Sequence, residues 1–466
     1  MKQLKFGTDG WRAIIAEEYT VENVKRIADA TARWVLANGG KSVVVGHDCR
    51  FAGELFAQTT AQVLGHYGIH VFLAKGFVST PMVSLGVVKT SSKLGVVITA
   101  SHNPPSYNGY KLKSELGSPS IPKDITAVEN LIPDFVPEYA LESLAQLEQK
   151  KLLSYIDLEQ IYLDEVFAKF DIEAIRKSNL LLAYDAMYGA GQRVMKRILP
   201  NLIPLHCEYN PSFHGQAPEP IIRNLSEIAA LIKNNPNINC GLANDGDADR
   251  IGMFDEKGEF VDSHQILLLL IHYLHHYKGM TGKVVVTFSV TDKVKRLCEH
   301  YGLPCEVKAI GFKYVAEVMM HENVLVGGEE SGGIAAAGHI PERDGIWMGL
   351  LLLEFMAKTG KTLSQLMQEI YAIVGTFAFD RYDLHLDNTL KNQIIQNCKD
   401  RKYANFGAYS VQRVEDLDGY KFYLSTDSWV MIRPSGTEPL LRVYAQAPTL
   451  AEATQILDTV KAALLG

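Results

Sequence analysis

Gly95-Val96-Val97-Ile98-Thr99-Ala100-Ser101-His102-Asn103-Pro104-Pro105 joins an apolar, β-branched run to a polar turn, and its reading decides the fold. A short apolar run of this kind predicts a buried strand, and residues at the carboxyl end of such a strand face the crevice where open α/β sheets bind ligands. The same unit recurs at 42–46, 69–73, 180–184, 283–287 and 324–326, each run followed by turn residues and an amphipathic stretch. That alternation predicts βα units and an α/β fold with mixed, mostly parallel sheets. After Ile373 the strand signals crowd together at 374–384, 410–414, 421–424, 429–432 and 442–445, with helices expected at 388–399 and 450–464. This tail reads as a smaller α+β domain. A chain of 466 residues exceeds what one core organises, so four domains are expected: 1–150, 151–260, 261–373 and 374–466.

Charge and composition exclude several classes. The formal charge of -7 is spread along the chain without a run of like sign, so no nucleic-acid partner is expected. The opening Met1-Lys2-Gln3-Leu4-Lys5-Phe6-Gly7 has no apolar secretory region, and the longest apolar stretch, 266–273, is interrupted by His272 and too short to span a bilayer. A cytoplasmic chain without a membrane partner is the expectation. The six cysteines, Cys49, Cys207, Cys240, Cys298, Cys305 and Cys398, form no CxxC pair, which argues against a zinc knuckle or a disulfide framework.

Four loops carry candidate chemistry. Ser101 and His102 are adjacent, so on an extended backbone they point apart and do not form a nucleophile and base pair; no GxSxG elbow exists. A strand-ending turn is the bland reading of this string. Asn244-Asp245-Gly246-Asp247-Ala248-Asp249-Arg250 sets three carboxylates at alternate positions, a clustering that makes sense around a hard dication such as magnesium. An EF-hand is excluded because Arg250 stands where its sharp turn needs glycine, and strands flank the loop. Gly327-Gly328-Glu329-Glu330-Ser331-Gly332-Gly333 offers an acceptor in Glu329 and a donor in Ser331 suited to sugar hydroxyls, although a flexible surface loop fits the string as well. Arg433-Pro434-Ser435-Gly436-Thr437 places a guanidinium, two hydroxyls and a glycine amide together, the composition of a phosphate clamp. The Walker pattern GxxxxGK[ST] is absent, so a nucleoside triphosphate has no support.

Together with Phe6-Gly7-Thr8-Asp9-Gly10-Trp11-Arg12 and Gly46-His47-Asp48-Cys49-Arg50, the order of these loops resembles the α-D-phosphohexomutase family of phosphoglucomutases and phosphomannomutases along essentially the whole chain. The resemblance implies three related α/β domains plus a smaller α+β C-terminal domain around a central cleft, each contributing one loop. It implies that Ser101 is a phosphoserine and that Asp245, Asp247 and Asp249, with Ser101 through its phosphate, hold one magnesium ion. Lys111 falls at the position of a general acid/base, Arg12 supports the active site, and His102 counts with them among the catalytic residues. Glu329, Ser331 and Arg250 would meet the sugar, and Arg433, Ser435, Gly436 and Thr437 the phosphate that is not reacting. A hexose 1,6-bisphosphate is implied as intermediate and activator, with a small sugar phosphate as the partner and a monomer or weak homodimer as the assembly.

The sugar loop reads GEESGG, where dual-specificity enzymes of the family commonly show GEMSGH and phosphoglucosamine mutases GEQSGH, so Gly333 replaces a histidine. The double glutamate and Gly311-Phe312-Lys313-Tyr314 are more similar to shorter bacterial phosphoglucomutases. The expected activity is therefore the interconversion of glucose 1-phosphate and glucose 6-phosphate. The alternatives are a hexose 1,6-bisphosphate synthase, a phosphomannomutase of dual specificity, and a sensor that binds sugar phosphates without turnover. Lys313 and His339 are further candidates for specificity contacts, His339 having a structural role as its competing reading.

Overall fold

The computed structural model describes residues 3–7, 9–434 and 440–466, in two compact units. The first unit comprises 1–285 and 311–367, and the second 286–310 and 368–466.

The expected strand under the serine loop is Leu94–Ile98, buried at every position. It pairs in parallel with Ser42–His47, which pairs in parallel with His70–Ala74. These β-branched runs lie in the sheet centre, where both faces are covered and continuous apolar sequence is required. Val43, Val45, Val71, Val96 and Ile98 pack with Val24, Ile27 and Leu64 of the flanking helices. Each such side chain contributes roughly 1.5–3 kcal/mol on burial. Tyr107–Ser114 turns back antiparallel to Leu94–Ile98, and Trp11–Ile14 pairs antiparallel with it. Leu153–Ile156, just beyond the boundary expected at 150, closes the other edge beside His70–Ala74. The antiparallel return positions the site, because it brings Lys111 and Arg12 back beside the serine loop. Gly109 permits the approach: a Cβ there would stand 2.4 Å from the Thr99 carbonyl oxygen and 2.8 Å from that of Trp11.

A second sheet runs in the order Phe260–Val261, Ile251–Phe254, Cys240–Asn244, Leu182–Asp185, Ile203–Leu205. The aspartate loop joins its antiparallel neighbours Cys240–Asn244 and Ile251–Phe254. In the third α/β segment Val324–Gly328 pairs antiparallel with Ile334–Ala336, and the glutamate loop is the turn between them. The helix Gly345–Thr359, capped by Asp344 through the Trp347 amide, is buried along most of its length.

In the second unit, Ala378–His385, Leu440–Ala447, Trp429–Pro434, Tyr420–Tyr423 and Arg413–Glu415 form an antiparallel sheet in that order. The helix Leu450–Leu465 packs on its first two strands. The closely spaced strand signals of the tail have this cause: antiparallel neighbours need only short turns, whereas parallel ones need a crossover.

Candidate active site

Thr99 follows the strand, and its hydroxyl works in two directions. It accepts from the Ser101 amide at 2.9 Å and donates to Asp48 Oδ2 at 2.5 Å. Ser101 follows in the left-handed region at φ 52°, uncommon for a residue other than glycine. Arg50 over-determines this turn. Its guanidinium is fully buried and donates to the carbonyls of Ser101 (2.6 Å), Asn103 (2.7 Å), Pro104 (2.9 Å) and Tyr107 (3.0 Å). Asp48 anchors Arg50 from the other side, accepting from its backbone amide at 2.9 Å. Burial pushes the Asp48 carboxyl up to about 6, against the opposing pull of Arg50.

The turn aims Ser101 at the aspartate loop: its Oγ donates to Asp245 Oδ2 at 2.6 Å. Ligand atoms of Asp245, Asp247 and Asp249 lie within 4.8 Å of one another, all three residues buried. Gly246 lets the loops meet, since a Cβ there would lie 2.6 Å from the Ser101 carbonyl oxygen. Lys111 Nζ reaches Asp247 Oδ2 at 2.9 Å, Asp249 Oδ2 at 3.1 Å and Asp9 Oδ2 at 2.9 Å. Thr80, at the start of a helix capped by Ser79, donates to Asp247 Oδ2 at 2.5 Å.

The electrostatics divide the triad. Burial, then Asp247 and Asp249, raises the Asp245 carboxyl well above its ordinary value. Burial acts on Asp247 too, yet Lys111 and the Thr80 hydroxyl win and hold it low. Asp247 Oδ1 and Asp249 Oδ1 are buried without a hydrogen-bond partner. An orphaned pair of carboxylate oxygens beside a third, high-pKa carboxyl is costly in a protein interior. The donor set is hard oxygen only, so these residues fit a divalent cation of the magnesium type.

The remaining expected residues of the first unit sit around this centre. Arg12 Nη1 donates to Asn103 Oδ1 at 2.5 Å, and His102 Nδ1 is 3.5 Å from Ser101 Oγ. Burial, with the cations Arg250 and Arg12, lowers His102 well below the usual histidine value. Arg250 donates its amide to Asp245 Oδ1 at 3.0 Å, and its backbone bridges to Gly333, which brings the glutamate loop against the aspartate loop. Glu329 is buried there, and burial pushes its carboxyl up to about 7; Ser331 is partly buried in the same turn. His339 stacks on Trp347 at 3.7 Å and bonds Asp344 Oδ2 at 2.9 Å, which engages it in capping the helix. Lys313 lies over the ring of Tyr314. Arg433 belongs to the second unit, paired with Asp418 at 3.0 Å. Ser435, Gly436 and Thr437 lie outside the described residues.

Sequence reasoning missed Arg343. Its Nη2 contacts Asp249 Oδ2 at 2.8 Å and Asp9 Oδ2 at 2.5 Å. Asp9 stood in a quoted motif without a role; although burial opposes it, Arg343, Lys111, Lys113 and Arg12 hold its carboxyl well below the ordinary range. Nothing in the run Pro341-Glu342-Arg343-Asp344 announces this contact, because the arginine reaches the site only through the hairpin and helix that flank it.

Comparison with known proteins gives matches along the chain. Family models described as phosphoglucomutase/phosphomannomutase, alpha/beta/alpha domains I, II and III, match residues 3–135, 160–258 and 262–374, and the C-terminal domain of that family matches 398–463. The phosphoglucomutase/phosphomannomutase of Thermococcus kodakarensis is 28% identical, over 97% of this chain and 96% of its own. The phosphoglucosamine mutase of Carboxydothermus hydrogenoformans is 29% identical over 98% of each. Among solved structures, the "putative phosphomannomutase" of Thermus thermophilus is 34% identical, covers all of both chains and has a TM-score of 0.89. Among the described residues no helix is long and apolar enough to cross a membrane.

Proposed function

Because the chain belongs to the phosphoglucomutase/phosphomannomutase family, and is thus an enzyme of phosphohexomutase type, we propose that it interconverts glucose 1-phosphate and glucose 6-phosphate through a phosphorylated Ser101. The observation that carries the reading is the 2.6 Å contact of Ser101 Oγ with a buried aspartate triad that also binds Lys111. A hydroxyl donated to a carboxylate cluster at 2.6 Å, with the neighbouring imidazole no nearer than 3.5 Å, suits a phosphate carrier better than an acyl nucleophile.

In the first half-reaction a free hydroxyl of the sugar phosphate attacks phosphorus as the bond to Ser101 Oγ breaks, the hydroxyl's proton passing to Ser101 Oγ, giving a hexose 1,6-bisphosphate. After the sugar turns around, Ser101 Oγ attacks its other phosphate and gives up its proton, and the released sugar oxygen takes one, so that no net proton is consumed. Lys111, an ammonium among three carboxylates, is the nearby group that would give that proton, while Arg12 orders the serine loop through Asn103. Asp245, Asp247 and Asp249, with the phosphate on Ser101, would hold magnesium, which supplies positive charge to the phosphoryl oxygens. Phosphoryl transfer gains most from such positioning and charge. Glu329 and Ser331 would read the hydroxyls in both poses.

The glucose preference rests on the GEESGG loop; the relative named phosphoglucosamine mutase makes the amino sugar the rival. A magnesium-loaded assay of glucose, mannose and glucosamine 1-phosphates, started with a trace of bisphosphate, decides between them. Glucose 1-phosphate is expected to lead in kcat/KM by at least tenfold, about 1.4 kcal/mol of discrimination. A higher value for the amino sugar overturns the preference. Bisphosphate accumulating with little isomerisation assigns a synthase instead.

Glu329 makes the reading pH-sensitive. Its carboxyl is held up to about 7 by burial, so below that pH it carries a proton and above it accepts from a sugar hydroxyl as a carboxylate. kcat/KM is expected to rise through pH 7 by a factor of about 3–10. Glu329→Gln, which keeps an acceptor but cannot titrate, should flatten that limb; an unchanged profile removes Glu329 from substrate binding.

A further inference from the structure

Asp185 closes the strand Leu182–Asp185, and His206 follows its parallel neighbour Ile203–Leu205, so the two stand side by side at the carboxyl ends of the second sheet. Five residues other than glycine take the left-handed region here: Met187 (φ 47°), Tyr188 (φ 60°), His206 (φ 46°), Phe213 (φ 47°) and His214 (φ 49°). That conformation is uncommon outside glycine, and a cluster of it persists only where the surroundings over-determine the backbone. Asp185 is the centre of the constraint. It is 1% exposed; its Oδ1 accepts from the Met187 amide at 2.8 Å, and its two oxygens lie 2.9 and 3.0 Å from His206 Nδ1, which donates to them. The His206 carbonyl in turn accepts from the Tyr188 amide at 2.9 Å, and the Tyr188 ring packs on those of His206 at 4.8 Å and His214 at 4.7 Å. Glu227, 3.4 Å from His206 Nε2, is 74% exposed and contributes little to this order.

The turn that follows Asp185 lies against the aspartate loop. The Ala190 amide donates to the Gly246 carbonyl at 2.9 Å, and a Cβ on Gly189 would stand 2.7 Å from the Asp245 carbonyl oxygen and 2.8 Å from that of Gly246. Phe213 meets the same loop, 3.7 Å from where a Cβ on Gly246 would lie. The backbone at 245–246 is therefore seated on left-handed residues whose shape depends on one buried histidine–aspartate bond.

We propose that His206 and Asp185 are positioning residues for the metal loop: the bond between them holds the turn 186–189 in its left-handed form, and the turn sets the backbone of Asp245 and Gly246 so that the three carboxylates stay together for a divalent cation. The inference rests on the metal reading of the aspartate loop given above. Groups outside the ligand set that fix ligand orientation cost roughly 10–100-fold in metal affinity when removed.

Manganese, a hard dication suited to the same oxygen ligands, is titrated into full-length protein and the free ion is read by electron paramagnetic resonance, with Ser101 phosphorylation matched between preparations by mass spectrometry. His206→Val removes the donor to Asp185 and places a β-branched residue in left-handed backbone, and the dissociation constant should rise about tenfold. His206→Asn keeps a nitrogen donor near the Nδ1 position and tolerates the conformation, so it should bind within about threefold of the wild type. Urea midpoints accompany each titration. Where His206→Val does not fold, His206→Gly removes the ring and leaves the backbone at ease, and should weaken binding by at least about fivefold. Asp247→Asn should abolish uptake; a wild type that takes up no manganese, or an Asp247→Asn protein that still does, refutes the metal reading and the inference with it. Wild-type affinity in folded His206→Val or in His206→Gly, or a loss in His206→Asn equal to theirs, overturns the positioning role alone.

Discussion

Ser101→Ala is expected to lower turnover of glucose 1-phosphate by at least about a thousandfold, the scale of loss when a covalent nucleophile is removed. Its cost to stability should be small. The variant loses one hydrogen bond, Ser101 Oγ to Asp245 Oδ2, a contribution of about 1–2 kcal/mol. The turn itself survives, because Thr99 and Arg50 hold the backbone of residue 101 rather than its side chain. A kinetic assay beside a urea titration separates the two effects, and mass spectrometry of the wild type should find phosphate on the peptide containing Ser101. The same variant discriminates between the functional readings. Mutase and bisphosphate synthase both pass the phosphoryl group through Ser101 and lose activity together, whereas a protein that only senses sugar phosphates keeps its binding and its function. Turnover retained within tenfold would remove Ser101 as the phosphate carrier.

The parts of the fold legible in sequence are those set by local pattern. Leu94–Ile98 and Ser42–His47 announce themselves by unbroken β-branched runs, as buried parallel strands must, and the aspartate loop by its alternation between two strands. Strand order was not legible. Nothing in the run 107–114 says that it returns antiparallel beside Leu94–Ile98, yet that return brings Lys111 to the aspartates. Arg343 was missed for the same reason: its contacts with Asp9 and Asp249 span sequence separations that no spacing rule covers. His102 shows the opposite case. The adjacency argument assumed an extended backbone and excluded a hydrogen-bonded pair with Ser101, but Ser101 is left-handed, and that turn brings His102 Nδ1 to 3.5 Å from its Oγ, the outer limit of such a bond.

Arg50→Met is expected to destabilise the first unit by about 3–5 kcal/mol and to lower kcat at least a hundredfold without a comparable change in KM. The reasoning starts from donors. Four carbonyls, the buried one of Ser101 and the part-buried ones of Asn103, Pro104 and Tyr107, share one guanidinium, and methionine fills its volume while supplying none. A buried carbonyl left without a donor costs about 1–3 kcal/mol, and relaxation of the turn recovers part of the sum. Relaxation here means that Ser101 leaves its left-handed conformation and its Oγ leaves Asp245, so what is regained in stability is lost in positioning. Arg50→Lys should rescue only partly, since an ammonium has three donors in a different geometry. The pH dependence supplies a readout that a packing defect would not. In the wild type, burial raises the Asp48 carboxyl to about 6 and Arg50 opposes that rise. Without Arg50 the carboxyl titrates higher still, so below pH 6 it is protonated in both proteins and the ion-pair part of the deficit vanishes. Above pH 6 the wild type gains a carboxylate paired with arginine while the variant's carboxyl is held protonated without its guanidinium, and the deficit should widen as the pH rises. Urea midpoints measured at pH 5 and pH 8 test this directly; a deficit equal at the two values would mean that Arg50 holds the serine loop by packing and carbonyl contacts alone.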